Sequence, residues 1–211
     1  MNNKRILGID EAGRGCVLGP LAVGGFLICE HSQDALRAAG ADDSKRLSKK
    51  KRDQIRLKLA DLGTADVRLI SAKAIDGANL NELEMQAIVL LVNRFEPDVV
   101  YIDALGHPQT LPALARKLDQ TVAPSGIEWI IEPKADQRYP VVGAASIFAK
   151  TTRDSELEAH KAQWGDFGSG YPSDPKTRRW LEKIAAKQAA WPPFVRTRWG
   201  TVRALSQRAL L

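Results

Sequence analysis

The sequence predicts an α/β protein: a mixed five-stranded sheet flanked by helices, with a C-terminal helical segment after it. Three observations predict it. Strand-like segments dominate the first seventy residues, strands then alternate with helical stretches, and 44% of the 211 residues are apolar, enough to bury a core. No internal repeat or low-complexity linker interrupts the chain. A Gly/Pro-rich shift near 165–175 sets the expected division, a core over 1–165 and a helical segment over 166–211 docked on it.

Lys4 to Asp10 reads as the first strand, with Ile6, Gly8 and Asp10 on one face and Leu7 and Ile9 on the other. Val17 to Ile28 is β-rich and punctuated by turns, as for a strand hairpinned to the first. Ser48 is placed to cap a helix running to about Leu62, with Gly63 as its stop. Val67 to Ile70 is a third strand. Asn81, with Glu84 three residues on, resembles a capping box for a helix that Pro97 ends after Phe95. Val99 to Asp103 is the fourth strand, Thr110 to Leu118 a short helix, and Ile127 to Glu132 the fifth strand. A long helix follows from Ala144 to about Gln163, then a loop from Gly165 to Pro175 and a helix from Lys176 to Gln188. The first strand is expected at the centre of the sheet.

Composition narrows the function. The longest strictly apolar run, Ala87 to Val92, is far short of the ~20 residues of a membrane-spanning helix. The opening MNNKRILGIDEAG lacks the apolar core of a signal peptide, so a cytoplasmic location is expected. Two cysteines, Cys16 and Cys29, are too few for a disulfide scaffold, and Cys16 reads as small buried filler. His31, His107 and His160 match no ligand spacing. The net charge of +6 is unevenly placed: residues 176–211 hold nine basic residues and one acid, Glu182, whereas the rest of the chain is slightly acidic. A second basic cluster, Lys45, Arg46, Lys49, Lys50, Lys51, Arg52, Arg56 and Lys58, is opposed by Asp53 alone. Such clusters suit phosphates, although a charge run taken alone is more often a solvated helix face.

Four carboxylates carry the chemistry. Asp10 and Asp103 each close an apolar run, and Glu11 and Asp136 stand where a strand or loop ends. Sites in open α/β sheets assemble at the carboxyl ends of strands. If the first and fourth strands are parallel neighbours, Asp10 and Asp103 meet. Clustered carboxylates resist joint ionisation, and a divalent cation resolves the conflict; an all-oxygen set selects Mg2+ or Mn2+ over zinc. Two such ions activate water and stabilise a leaving oxygen in phosphodiester cleavage. Each acid alone reads equally as a turn former or a helix cap.

Gly8-Ile9-Asp10-Glu11-Ala12-Gly13-Arg14-Gly15, followed by Gly19-Pro20, resembles the opening of ribonuclease HII. Four later blocks agree in order and spacing: Asp43-Ser44-Lys45-Arg46-Leu47, Tyr101-Ile102-Asp103, Lys134-Ala135-Asp136 leading through Ala144–Lys150 to Arg153-Asp154, and Gly168–Pro175. The resemblance spans roughly residues 4–204, and its GSGYPSDPKT stretch looks more like the archaeal and eukaryotic branch. It implies an RNase H-like fold and a metal-dependent endoribonuclease of RNA–DNA hybrids and of single ribonucleotides in duplex DNA. Cleavage is implied 5′ of the ribonucleotide, leaving 3′-hydroxyl and 5′-phosphate ends.

Carried over by motif, Asp10, Glu11, Asp103 and Asp136 are the catalytic, metal-binding acids. Gly13, Arg14, Gly15 and Tyr171 read the junction nucleotide, where the 2′-hydroxyl distinguishes RNA from DNA. Lys45, Arg46, Ser146 and Lys150 join the substrate-binding set, and Arg153 is a further phosphate contact. Trp180, Trp191 and Trp199 are expected to pack on the core. The resemblance implies a monomer. Some archaeal relatives end in a clamp-binding peptide with paired aromatics; the end here, Gln207 to Leu211, has none, so sliding-clamp binding by that route is not expected. Two other readings stay open: another nuclease of the same fold, such as a junction resolvase, and a non-enzymatic nucleic-acid-binding module.

Overall fold

The structure is a computed structural model that describes residues 3–41, 47–103, 110–188 and 190–208. Its five strands are β1 (Arg5–Ala12), β2 (Leu21–Cys29), β3 (Thr64–Ile70), β4 (Val99–Asp103) and β5 (Glu128–Glu132), in one sheet of order β3-β2-β1-β4-β5. As the sequence predicts, β1 is central. Its interior is buried from Ile6 to Asp10, which fits an apolar strand covered on both faces. β1 and β4 run parallel, with Ile6 opposite Val99 and Ile9 opposite Ile102; β4 and β5 are also parallel, with Asp103 opposite Glu132. The Glu30 amide donates to the Lys4 carbonyl, so the end of β2 lies at the start of β1, the antiparallel sense of a hairpin.

The helices are α1 (Gln33–Ala39), α2 (Lys49–Ala60), α3 (Ala72–Gly77), α4 (Leu80–Phe95), α5 (Leu111–Asp119), α6 (Ala135–Arg138), α7 (Pro140–Trp164), α8 (Pro175–Ala185) and α9 (Gly200–Arg208). Ser48 caps α2 as expected, its hydroxyl accepting from the Lys51 amide. At α4 the expected cap moves: the Asn79 side chain accepts from the Asn81 amide, and Asn81 lies inside the first turn. α7 begins at Pro140, four residues before the predicted start. Proline fits a first helical turn because its missing N–H would have had no partner there. Short α1, α3, α6 and α9 have too few turns to show a periodic pattern.

The chain divides into two compact units. The first comprises Met1–Ala12, Val23–Arg68 and Glu84–Thr151; the second comprises Gly13–Ala22, Leu69–Leu83 and Thr152–Leu211, so α8 and α9 belong with the segment after β1 and with α3. Within the second unit, Val17, Leu18, Leu157, Phe167, Trp180 and Phe194 form an apolar core. Phe167, Trp180 and Phe194 pack with centroids 5.4–5.7 Å apart, and Trp191 and Trp199 lie against that core, half-buried, as expected. His160 stacks on Phe194 at 4.3 Å. Among the described residues, no helix is long and apolar enough to cross a membrane.

In the first unit, Ile6, Phe26, Tyr101, Val141, Val142 and Phe148 share one core. Two glycines set how closely α7 approaches the sheet. A Cβ on Gly8 would lie 2.2 Å from the Val141 carbonyl oxygen, and one on Gly24 would lie 2.6 Å from that of Ala145. Helix backbone therefore rests directly on strand backbone, which lets side chains from the first turns of α7 reach the end of β1.

Gly8→Ala should therefore destabilise the protein by about 1–3 kcal/mol or more, since the clash is with backbone that cannot rotate away. Gly77→Ala, with nothing within 4 Å of the new carbon, should be nearly neutral. Urea unfolding midpoints of the two variants check this; equal midpoints would show that the helix backs off freely.

Candidate active site

The parallel pairing of β1 and β4 runs through Ile9 and Ile102, and the next residues on the two strands are Asp10 and Asp103. Past β5, Lys134 takes a left-handed conformation, φ 62°, and turns the chain into α6. The first amide of α6, that of Ala135, donates to Asp103 Oδ1 at 3.1 Å, and the next residue is Asp136. The helix start is thereby fastened to the end of β4. Carboxylate oxygens of Asp10, Asp103 and Asp136 all lie within 4.8 Å of one another. Asp10 and Asp136 are 5% and 4% exposed, and Asp103 is half-buried.

Glu11 is not one of these three. It is half-buried at the end of β1, and its amide donates to Asp10 Oδ1 at 2.8 Å. On α7, fully buried Ser146 hydrogen-bonds Asp10, and Lys150 Nζ donates to Ser146 Oγ at 2.8 Å. The i, i+4 spacing of these two residues places both on one helix face. Burial pushes the Asp10 carboxyl up to about 6; the Ser146 hydrogen bond and the Lys150 charge oppose this, and the Asp103 charge adds to it. Three hard oxygen donors, largely desolvated and mutually repelling, fit a divalent cation held by Asp10, Asp103 and Asp136.

The second unit gathers another set of the expected residues. Gly13, φ 89°, begins a loop in which Arg14 donates through Nη2 to Asn81 Oδ1. A Cβ on Gly15 would lie 3.8 Å from the Tyr171 ring, so Gly15 and Tyr171 are in contact. Tyr171 is 40% exposed; its hydroxyl pairs with the Cys16 thiol, and the Arg153 guanidinium lies 5.5 Å from its ring centroid. Burial, reinforced by Cys16, pushes the phenol up to about 12 and keeps it a neutral donor.

Lys45 and Arg46 lie outside the described residues. Arg153, expected as a phosphate contact, is buried and directed inward: its Nη2 donates to Cys16 Sγ at 2.9 Å and to the Ser169 carbonyl at 3.1 Å. Its fork is used to hold Cys16 and the 169–171 turn. Sequence reasoning missed the roles of Arg196 and Asn81, which hold the Gly13–Gly19 loop, and of Asp76, which holds the residues after Arg196; an arginine that bonds backbone carbonyls has no partner motif to mark it.

Comparison with known proteins adds to this geometry. The model of the family described as Ribonuclease HII matches residues 7–202. Ribonuclease HII of Pyrococcus horikoshii is 41% identical over 213 residues, covering 97% of this chain and 94% of its own length. The crystal structure of ribonuclease H2 from Pyrococcus horikoshii OT3 superposes with a TM-score of 0.90 at 40% identity, covering 98% of this chain and 99% of that one. RNase HII of Archaeoglobus fulgidus, solved in a complex with PCNA, gives 0.85 at 38% identity, covering 95% and 96%.

The raised Asp10 pKa has a definite sign. Between about pH 4, where the unfolded carboxyl titrates, and about pH 6 the folded state binds the extra proton, so stability falls as pH rises through that window. In chelator, Asp10→Asn should become more stable than the unaltered protein by about 2–3 kcal/mol as pH rises from 4 to 7, read by denaturant titration. A margin that does not change with pH would show that Asp10 carries no such cost.

Proposed function

The chain belongs to the ribonuclease HII family, and from that membership we propose that Asp10, Asp103 and Asp136, with Glu11 beside them, hold divalent metal for cleavage of RNA within RNA–DNA duplexes. The family's activity is that of a ribonuclease H, a hydrolytic endonuclease, so the non-enzymatic reading gives way. The observation that carries the assignment of residues is the convergence of three carboxylates within 4.8 Å at the ends of β1 and β4 and the start of α6.

Asp10, Asp103 and Asp136, with Glu11, would hold a divalent ion, Mg2+ or Mn2+, which would supply water activation and charge stabilisation at the leaving oxygen. The protein's own part is to prepare that site. Asp10 is held by the Glu11 amide and by Ser146, which Lys150 supports, and Asp103 is fixed by the Ala135 amide. Lys150 also offsets part of the acidic charge at Asp10. The product ends are a 3′-hydroxyl and a 5′-phosphate, with the cut 5′ of the ribonucleotide.

Selection of RNA is assigned to Gly13, Arg14, Gly15 and Tyr171. Gly15 lets a sugar approach the backbone, and the neutral Tyr171 hydroxyl beside a half-exposed ring suits one ribose face. Lys45, Arg46, Ser146 and Lys150 complete the proposed substrate-binding set. Helix α2 supports a polyanionic substrate: Lys49, Lys50 and Lys51 stand exposed in its first turn, where the helix dipole disfavours cations and a phosphate backbone would relieve them. The proposal includes single ribonucleotides in duplex DNA as substrate, a monomer, a cytoplasmic location, and a catalytic core over 1–165 served by a helical segment over 166–211. Nothing in the comparisons supports the expectation that this chain dispenses with a sliding clamp, and residues 209–211 lie outside the described chain.

One gel tests the reading. A DNA duplex bearing a single ribonucleotide and its all-deoxy twin are incubated with Mg2+, Mn2+ or chelator. Cleavage should occur only in the first duplex, only with metal, and 5′ of the ribonucleotide. Asp103→Asn should lower the rate at least about 10³-fold, roughly 4 kcal/mol of barrier; nicking that survives this change would remove Asp103 from the site.

A further inference from the structure

Among the described residues, Arg196 is the largest fully buried side chain. Its guanidinium donates to three carbonyls of one loop: Nη2 to Gly13 at 2.7 Å, Nη1 to Arg14 at 2.9 Å and Nε to Gly19 at 3.0 Å. Packing alone does not call for this. Burying a guanidinium is costly, and an apolar side chain would fill the same volume. What an apolar side chain cannot supply is a planar fork of donors. Here the fork meets the carbonyls of a loop that needs φ 89° at Gly13 and φ 83° at Gly19.

The segment carrying Arg196 is itself held. Its amide donates to the Val17 carbonyl at 2.9 Å, and the Gly19 amide donates to the Phe194 carbonyl at 2.8 Å. On the following residues, Asp76 of α3 accepts from the Thr197 amide at 2.6 Å, the Thr197 hydroxyl at 2.7 Å and the Arg198 amide at 3.1 Å. Five residues after Asp76, Asn81 accepts from the Arg14 side chain. Arg14 is thus held at its carbonyl by Arg196 and at its guanidinium by Asn81.

We infer that Arg196, kept in place through Asp76, is a positioning residue for substrate selection: it fixes the backbone of the loop that presents Arg14 and Gly15 to the ribose. The inference rests on the assignment of that loop to ribose reading. Arg196 does not touch substrate; it acts through the three carbonyls. Lysine at 196 would keep the charge but lose the fork, and asparagine at 76 would keep the shape but weaken the anchor.

The test pairs a structural readout with a kinetic one in the full chain, using Arg196→Lys and Asp76→Asn. The Cys16 amide, which donates to the Gly13 carbonyl at 3.2 Å, reports the loop by hydrogen exchange. It should exchange at least about tenfold faster in Arg196→Lys, and less so in Asp76→Asn, while amides of β1 keep their protection. KM for a duplex with one ribonucleotide should rise about tenfold in Arg196→Lys with kcat changed much less. The thermal shift produced by Mn2+ should stay that of the unaltered protein. Unchanged exchange at Cys16 overturns the inference, as does a loosened loop with unchanged KM. Parallel loss of β1 protection, kcat and the Mn2+ shift would reduce Arg196 to a stability element and also overturn it. If the unaltered protein shows no ribonucleotide-dependent cleavage, the assignment of function fails instead, and the exchange rates still decide whether Arg196 holds the loop.

Discussion

Like charges brought together at the ends of neighbouring parallel strands are the constraint from which the rest of the structure takes its sense. The pairing of β1 with β4 leaves no freedom in where Asp10 and Asp103 go; once Ile9 stands beside Ile102, two acids follow. Water would dissipate their repulsion, but the central strand is buried and Asp10 with it. Burial first, and the Asp103 charge after it, hold the Asp10 carboxyl well above its ordinary range. Around it the fold supplies partial relief in the form of a hydroxyl, an ammonium and the Glu11 amide, while the Ala135 amide serves Asp103. That arrangement leaves negative charge for a cation to meet, in keeping with an active centre built for metal.

Close backbone packing makes the partial relief possible. Gly8 and Gly24 let the α7 backbone touch the strands at two points, and that close approach accompanies the placing of Ser146 at Asp10. A core of larger residues at these positions would hold the helix farther off and leave Asp10 with fewer partners. Fold stability and active-site electrostatics are thus set by the same two glycines.

Much of this was legible in the sequence, and its limits are physical. β1, β4 and the acids that close them could be read because a buried parallel strand is a continuous apolar run and a charge ending it stands out. The pairing of Gly15 with Tyr171 came from resemblance alone, since residues 156 positions apart carry no local pattern. Arg153 was misread for a related reason: a basic residue near other basic residues looks like a surface contact, and only packing shows that its fork is occupied by Cys16 and Ser169. The role of Arg196 was not legible because its partners are backbone carbonyls, which every residue has. The cap of α4 is Asn79 and not Asn81 because the helix starts at Leu80, one residue before Asn81; the Asn81 side chain instead accepts from Arg14.

Arg196 also imposes an order in time. Gly13 and Arg14 are translated well before the guanidinium that shapes them, which comes more than 180 residues later. At typical elongation speeds of about 5–20 residues per second, the loop waits on the order of ten seconds or more for its partner. Over the last sixty residues of that interval the growing polypeptide already carries all four acids, Asp136 being the last of them, yet lacks the arginine that fixes the loop. On the proposed reading of that loop, discrimination waits for this late arginine.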